Sequence, residues 1–333
     1  MCLVTFPTLR TWVAASVTLL LSVPFAGAAQ ERVHLTVDPD AALSDLAGIP
    51  AAALDSLLGA DAKRLGGLLV VQDTKDRPGE VRRRSGVGVL LVSRGAGPTL
   101  HEVAVAWPPG EAASDLESAC HIPGTAAEFL VAESGYYPPD SDEPRYGRLF
   151  RLLLEREGGG WRGRIVEFTR LPEGTVDLEG MACAADGREV LVILGERGGG
   201  ESAIDGRLRW TFLRRGAFPE RITLEERPFD SNPALELPRD ITGLYLDANG
   251  LLWVSSAEDP GDHGPFRSAV QLAGTVRFGG ADPITLFPVP IPVYVDPSRK
   301  IEGVGPGVVP WIPLSVVTED EALGGSWYPV IPR

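Results

Sequence analysis

Short apolar runs that end on an acid recur along the chain: GLLVVQD at 67–73, EFLVAES at 128–134, EVLVILGE at 189–196, LLWVSSAE at 251–258 and PLSVVTE at 313–319. Runs of this length, rich in aliphatic and β-branched residues and bounded by turn signals, read as buried strands. Each is preceded by a segment of common pattern: DLAGI at 45–49, DLESA at 115–119, DLEGM at 177–181, DITGL at 240–244 and KIEGV at 300–304. Their fourth positions, Gly48, Ser118, Gly180, Gly243 and Gly303, are 70, 62, 63 and 60 residues apart. Gly124, Asp186-Gly187 and Asn249-Gly250 supply turns between segment and run, because such residues accept the positive φ of tight hairpins.

Second hairpins follow in most units, as in RLFRLLLEREGGGWRGRIVEFTRL (148–171) and RLRWTFLRRGAFPERITLEERPF (207–229). Four strands per unit, repeated five times, predict an all-β fold: a five-bladed β-propeller of four-stranded blades. The one helical pattern is AAALDSLLGADAKRL at 51–65, and FPVPIPVYVDP at 287–297 reads as an extended connection. From Lys300 to Arg333 only 34 residues remain, too few for four strands. RVHLTVDP at 32–39 is a spare strand that can complete this last blade and remove an open edge. Six blades is the alternative count; two stacked β-sandwiches would leave the repeat unexplained.

The N-terminal 29 residues look different. Arg10, the apolar WVAASVTLLLSVPFAG and the small residues Ala26-Gly27-Ala28 form a signal-peptide pattern, with a retained anchor as the alternative. This divides the chain into a signal peptide, 1–29, and a single propeller domain, 30–333, secreted or periplasmic and without membrane insertion after cleavage. The net charge of −14, from 45 acidic and 31 basic residues, disfavours nucleic acid and anionic membranes as partners. A monomer is expected. Cys120 and Cys183 survive processing, three and four residues after matched glutamates. That one-residue offset points them to opposite faces of a regular strand and favours two separate thiols over a bridge.

In a propeller blade the first strand lines the channel and the second returns antiparallel, so the start of one and the end of the other share a face. The third motif positions are Ala47, Glu117, Glu179, Thr242 and Glu302; the second strands end on Asp73, Glu133, Glu196, Glu258 and Glu319. Carboxylates converging on one channel repel, and a hard cation with oxygen ligands would relieve them. Glu117, Glu179, Thr242 and Glu302 are therefore the candidate ligands of an axial calcium ion. Strand capping or pairing with basic residues is the alternative role for these acids, above all for the outer set.

D-[LI]-E-G followed by a DG or NG turn and an acid-ended strand resembles the exported phytase-like propeller proteins, often labelled esterase-like. The same elements are similar to those of the calcium-activated nucleotidases. The second resemblance implies a central calcium held by Glu and Ser side chains at inner-strand starts, which Glu117, Glu179, Thr242 and Glu302 match. Ala47 departs from that pattern, with Ser44 or Asp45 as substitutes. The loops at the same face add Lys75, Arg77, Tyr136, Tyr137, Arg145, Arg197, His263, Arg267 and Trp327. A pocket rim of Asp73, Lys75, Glu133, Glu196, Arg197, Glu258, Arg267 and Glu319 is expected. The function expected is binding of a small-molecule or protein ligand there; the alternative is calcium-dependent phosphoester hydrolysis, with Lys75, Arg197 or Arg267 neutralising phosphate. No GxSxG, HExxH, P-loop or dinucleotide motif is present.

Overall fold

A computed structural model describes residues 35–37, 43–61, 63–73, 86–109, 111–135, 147–175, 177–199, 205–261, 263–309, 311–321 and 324–332. The expected signal peptide and Lys75, Arg77, Tyr136, Tyr137 and Arg145 lie outside the described residues. Five four-stranded antiparallel units follow one another along the chain. The first blade holds β2 (Asp45–Ile49), β3 (Arg64–Val71), β4 (Val87–Ser93) and β5 (Gly97–Ala106). The second holds β6 (Leu116–His121), β7 (Glu128–Glu133), β8 (Arg148–Glu157) and β9 (Gly160–Arg170). The third comprises β10 (Leu178–Asp186), β11 (Glu189–Glu196), β12 (Gly206–Arg214) and β13 (Glu225–Phe229), and the fourth β14 (Arg239–Leu246), β15 (Leu251–Ala257), β16 (Ser268–Val276) and β17 (Ile284–Asp296). In the fifth, β18 (Ile301–Pro306), β19 (Leu314–Glu319) and β20 (Gly325–Val330) are completed by β1 (Leu35–Val37), which pairs with β20 through Leu35 and Trp327. The inner strands β2, β6, β10, β14 and β18 pack neighbour on neighbour in a closed cycle. This is a five-bladed β-propeller, and its N-terminal strand closes the ring.

The core lies between blades. Leu69 and Val71 of β3 face the second blade with Phe129 and Val131, whereas Leu68 and Val70 face the fifth blade with Val317 and Trp327. Both faces are dry, which is why these strands read as continuous apolar runs rather than alternating ones. Each such aliphatic side chain contributes about 1.5–3 kcal/mol by leaving water. Trp327, expected at the rim, is wholly buried in this layer. The helix is α1 (Ala51–Leu58), which lays Ala53 and Leu54 on the core between the first two blades. It accounts for the greater length of the first unit. The stretch 287–297 is not a connection: β17 takes it up as the outer strand of its blade, an edge position where proline does no harm to the ladder. The outer strands β5 and β9 also pair in parallel and join the first two blades at their rims. Among the described residues no helix is long and apolar enough to cross a membrane.

Cys120 and Cys183 form a disulfide between β6 and β10, their Cα atoms 5.8 Å apart. The expectation of separate thiols is corrected, and its parity argument ran in the wrong direction. Blades stack face to back, so residues that meet across a blade interface must leave opposite faces of their own strands. Cys120 and Cys183 accordingly share one core layer, while their chain neighbours Ala119 and Ala182 belong to the layers on either side.

Candidate active site at the channel mouth

A β-bulge aims the inner acids. In β6, Leu116 pairs with Glu133 and Ser118 with Ala132, so Glu117 is the extra residue. Glu179 is extra in the same way between Leu178 and Gly180, and Glu302 between Ile301 and Gly303. Thr242 lies within a register shift of β14. A bulge interrupts the alternation of faces and re-aims a side chain, here toward the mouth. Gly243 and Gly303 then let the strands crowd together: a Cβ on Gly243 would stand 2.7 Å from the Glu302 carbonyl oxygen, and one on Gly303 would stand 2.8 Å from the Asp45 Cα.

The first blade has no such bulge, and its strand is displaced. Asp45, not Gly48, lies beside Gly303, and Gly48 lies beside Pro306. Three residues separate each pair, so Ala47 belongs deeper in the channel, and Ser44 is level with the bulged acids. Its hydroxyl accepts the Asp73 N–H at 2.9 Å. Asp45 fills the space toward the second blade: it is fully buried, and its Oδ2 accepts the Ala119 N–H at 2.8 Å. Burial pushes its carboxyl well above the usual range against the pull of the Ala119 and Leu46 N–H groups.

The strand-end acids fall into two registers. Glu133 and Glu196 directly follow the residues paired with the fourth motif positions and turn into their blades. Buried Glu133 receives Arg148 through Nε at 2.8 Å and Nη2 at 2.6 Å, plus the Ser114 N–H at 2.9 Å; Arg148 also reaches Glu111 at 2.5 Å. Buried Glu196 pairs with Arg209 at 2.8 Å. Glu258 is half-buried beside Arg267 at 3.5 Å. Asp73, Arg197 and Glu319 stand one residue further along their strands and meet the inner acids. The expected rim of one acid per blade is thus corrected: Glu133 and Glu196 bind their own blades.

Asp73, Asp115 and Glu117 bring carboxylate oxygens within 4.8 Å of one another, the group of acids among the described residues with the spacing to hold a metal. Across the mouth, Arg197 pairs with Glu179 at 3.1 Å and Asp177 at 3.3 Å. Arg239 binds Asp259 and lies 3.6 Å from Glu302. Lys300, 1% exposed, sets its ammonium 3.1 Å from Glu302 and 3.8 Å from Glu319, and binds Glu321. Thr242 donates its hydroxyl to the Ile301 carbonyl at 2.6 Å and ties the fourth blade to the fifth. The repeat therefore brings Glu179 and Glu302 near one another, with Arg197, Arg239 and Lys300 beside them.

Proton affinities diverge within this network. Burial, then the negative charge of Glu302, pushes Glu179 up to about 7 in spite of Arg197, Arg239 and Lys300. Burial, with Glu302, Asp73 and Glu321 adding to it and Lys300 opposing, pushes Glu319 up to about 8. Burial would raise Asp259 too, but Arg239 holds it below its ordinary value. Asp115, Asp177, Arg239, Asp259, Lys300 and Glu321 were missed in the sequence. A signal existed: the first motif position is Asp45, Asp115, Asp177, Asp240 and then Lys300. Asp115, Asp177 and Glu321 also take positive φ of 57°, 53° and 48°, conformations non-glycine residues seldom hold. A cavity of about 440 Å³ opens at the other end of the channel, with Ala47, Ala184 and Pro306 in its walls, and one of about 660 Å³ lies between the first and fifth blades beside Ile49, Val308 and Trp311. The acids and their counter-charges gather at the mouth instead.

No family model matches the chain, and no curated protein matches it. Solved structures similar to it include a thermostable family-43 glycoside hydrolase, at TM-score 0.48 and 9% identity over 88% of this chain and 90% of that one. A family-43 endo-arabinanase from Bacillus licheniformis follows at TM-score 0.42 and 11% identity, covering 88% and 95%. An exo-1,5-α-L-arabinanase from a bovine ruminal metagenomic library gives TM-score 0.42 and 7% identity, covering 90% and 94%. The resemblance to phytase-like and nucleotidase propellers is corrected by these neighbours. So are the functions expected with it, a calcium-stapled binding module and a calcium-dependent phosphoester hydrolase. The site gives a physical reason against the latter: Arg197 is held by Asp177 and Glu179, and Arg267 by Glu258, in a mouth whose acids would repel phosphate.

Proposed function

We propose that the channel mouth hydrolyses glycosidic bonds. The observation that carries this reading is a proton-holding carboxyl among other acids: Glu319 keeps a proton up to about pH 8 under the influence of Asp73, which itself clusters with Asp115 and Glu117. Glycoside hydrolysis needs one carboxyl that donates a proton to the leaving oxygen and one carboxylate that activates water or receives the sugar carbon. Its transition state develops positive charge, which an acid-rich mouth stabilises and which a phosphoryl-transfer site, lined with cations, would not. Glu319 is the proton donor, since its side chain is 22% exposed against 10% for Glu179. Asp73 is the carboxylate, and Asp115 and Glu117 back it. Export belongs to the same reading: the Cys120–Cys183 bridge suits an oxidising compartment.

The test is a panel of aryl pentosides and hexosides with the purified protein in chelator. Turnover should fall as pH rises through about 8, where Glu319 loses its proton. Glu319→Gln should lower kcat by about 10²–10⁴-fold on glycosides with poor leaving groups, and far less on dinitrophenyl glycosides, which need no proton. Background rates on every glycoside, or equal losses on both leaving groups, would overturn the assignment.

A further inference from the structure

Four of the five motifs begin with aspartate; the fifth begins with Lys300. Its side chain is 2% exposed, and lysine is almost never so buried unless paired. Three carboxylates converge on its ammonium: Glu302 at 3.1 Å from β18, Glu319 at 3.8 Å from the end of β19, and Glu321 just beyond. Its own N–H donates to Asp320 at 2.8 Å, which fixes the backbone from which the side chain starts. Burial would weaken the ammonium, but Glu302 first, Glu319 once it ionises, and Glu321 more than restore it.

Oxygen atoms gathered from three directions around one buried positive centre are what a hard divalent cation would draw in, to about 2.3–2.6 Å, once the ammonium is gone. We propose that the Lys300 ammonium is a built-in substitute for such a cation, so that the fifth-blade shell of Glu302, Glu319 and Glu321 is independent of metal, and that removing the amine turns it into a calcium site. Arg239, 3.6 Å from Glu302, supports the same shell from the fourth blade but touches neither Glu319 nor Glu321 in an ion pair. Among the described residues, Lys300 alone joins the three. The fifth-blade acids thus meet a counter-charge supplied from within the chain.

The experiment compares thermal unfolding of wild type, Lys300→Met and Lys300→Arg in chelator and in millimolar calcium, with calcium binding followed by calorimetry. In chelator, Lys300→Met should unfold about 5–8 °C below wild type, as expected when a buried ion pair loses one partner. Calcium should recover at least half of that difference and bind with one more site than in wild type. Lys300→Arg keeps the charge and should respond to calcium as wild type does. Glu302→Gln added to Lys300→Met should abolish the extra site. An equal calcium response in wild type and Lys300→Met overturns the proposal. So does failure of Lys300→Met to fold in calcium while Lys300→Arg folds.

Discussion

Replacing Glu179 by glutamine tests the electrostatics of the mouth without reference to any substrate. Glu179 carries a proton up to about pH 7, against an ordinary value of 4.5, because it is buried and lies beside the charge of Glu302. A carboxyl raised on folding stabilises the native state fully below its unfolded value, and that stability is lost as pH rises through the folded one. A shift of about 2.5 units corresponds to about 3 kcal/mol, lost between pH 4.5 and pH 7. Glutamine resembles the protonated acid and does not titrate. Arg197 keeps Asp177 at 3.3 Å in the variant, so no cation is stranded. Glu179→Gln should therefore match wild type within a degree or so near pH 4.5 and gain on it steadily as pH rises. With an unfolding entropy of about 2 cal/mol/K per residue over roughly 300 residues, the gain is about 5 °C in midpoint. Circular dichroism melts of both proteins from pH 4.5 to 8.5, in chelator, measure it. A gap between the two midpoints that stays constant over that range would refute the burial and the Glu302 coupling together.

Two further outcomes follow from the packing. Reducing the Cys120–Cys183 bridge, or replacing both residues by alanine, should cost about 2–5 kcal/mol, read as a lower denaturant midpoint, because the closed loop spans 63 residues; an unchanged midpoint would show that the blade interface needs no covalent tie. Arg148→Met leaves Glu133 buried without its cation and Glu111 without its 2.5 Å partner, so it should cost about 3–5 kcal/mol, and Arg148→Met with Glu133→Leu should recover much of it in a double-mutant cycle.

The blade count was legible because it rests on spacing, and spacing survives every local irregularity. Turn residues at Gly187 and Gly250, both at positive φ, marked the hairpins without any knowledge of tertiary contacts. The site was legible only in part. Glu117, Glu179 and Glu302 stand out as acids at one motif position, yet a β-bulge orients each of them, and no short pattern announces a bulge. The first blade shows the consequence. DLAGI matches the other motifs in letters but lies three residues deeper, so letter-by-letter alignment assigned Ala47 to a level that Ser44 occupies. The letters do not show that its strand pairs without a bulge, Asp45 lying opposite Val71.

Counter-charges were the other hidden layer. Matching acids across the units suggest a metal because like positions carry like residues. Cations that satisfy those acids come from unlike positions: Arg197 from the end of a second strand, Arg239 from just before a motif, and Lys300 from the one motif that breaks the aspartate rule. A repeat encodes the ring, and the departures from it encode how the ring's charges are balanced. The same logic governs the cysteines. Their offset of one residue breaks the repeat, and because neighbouring blades meet face to back, only a pair out of register can share the layer between β6 and β10.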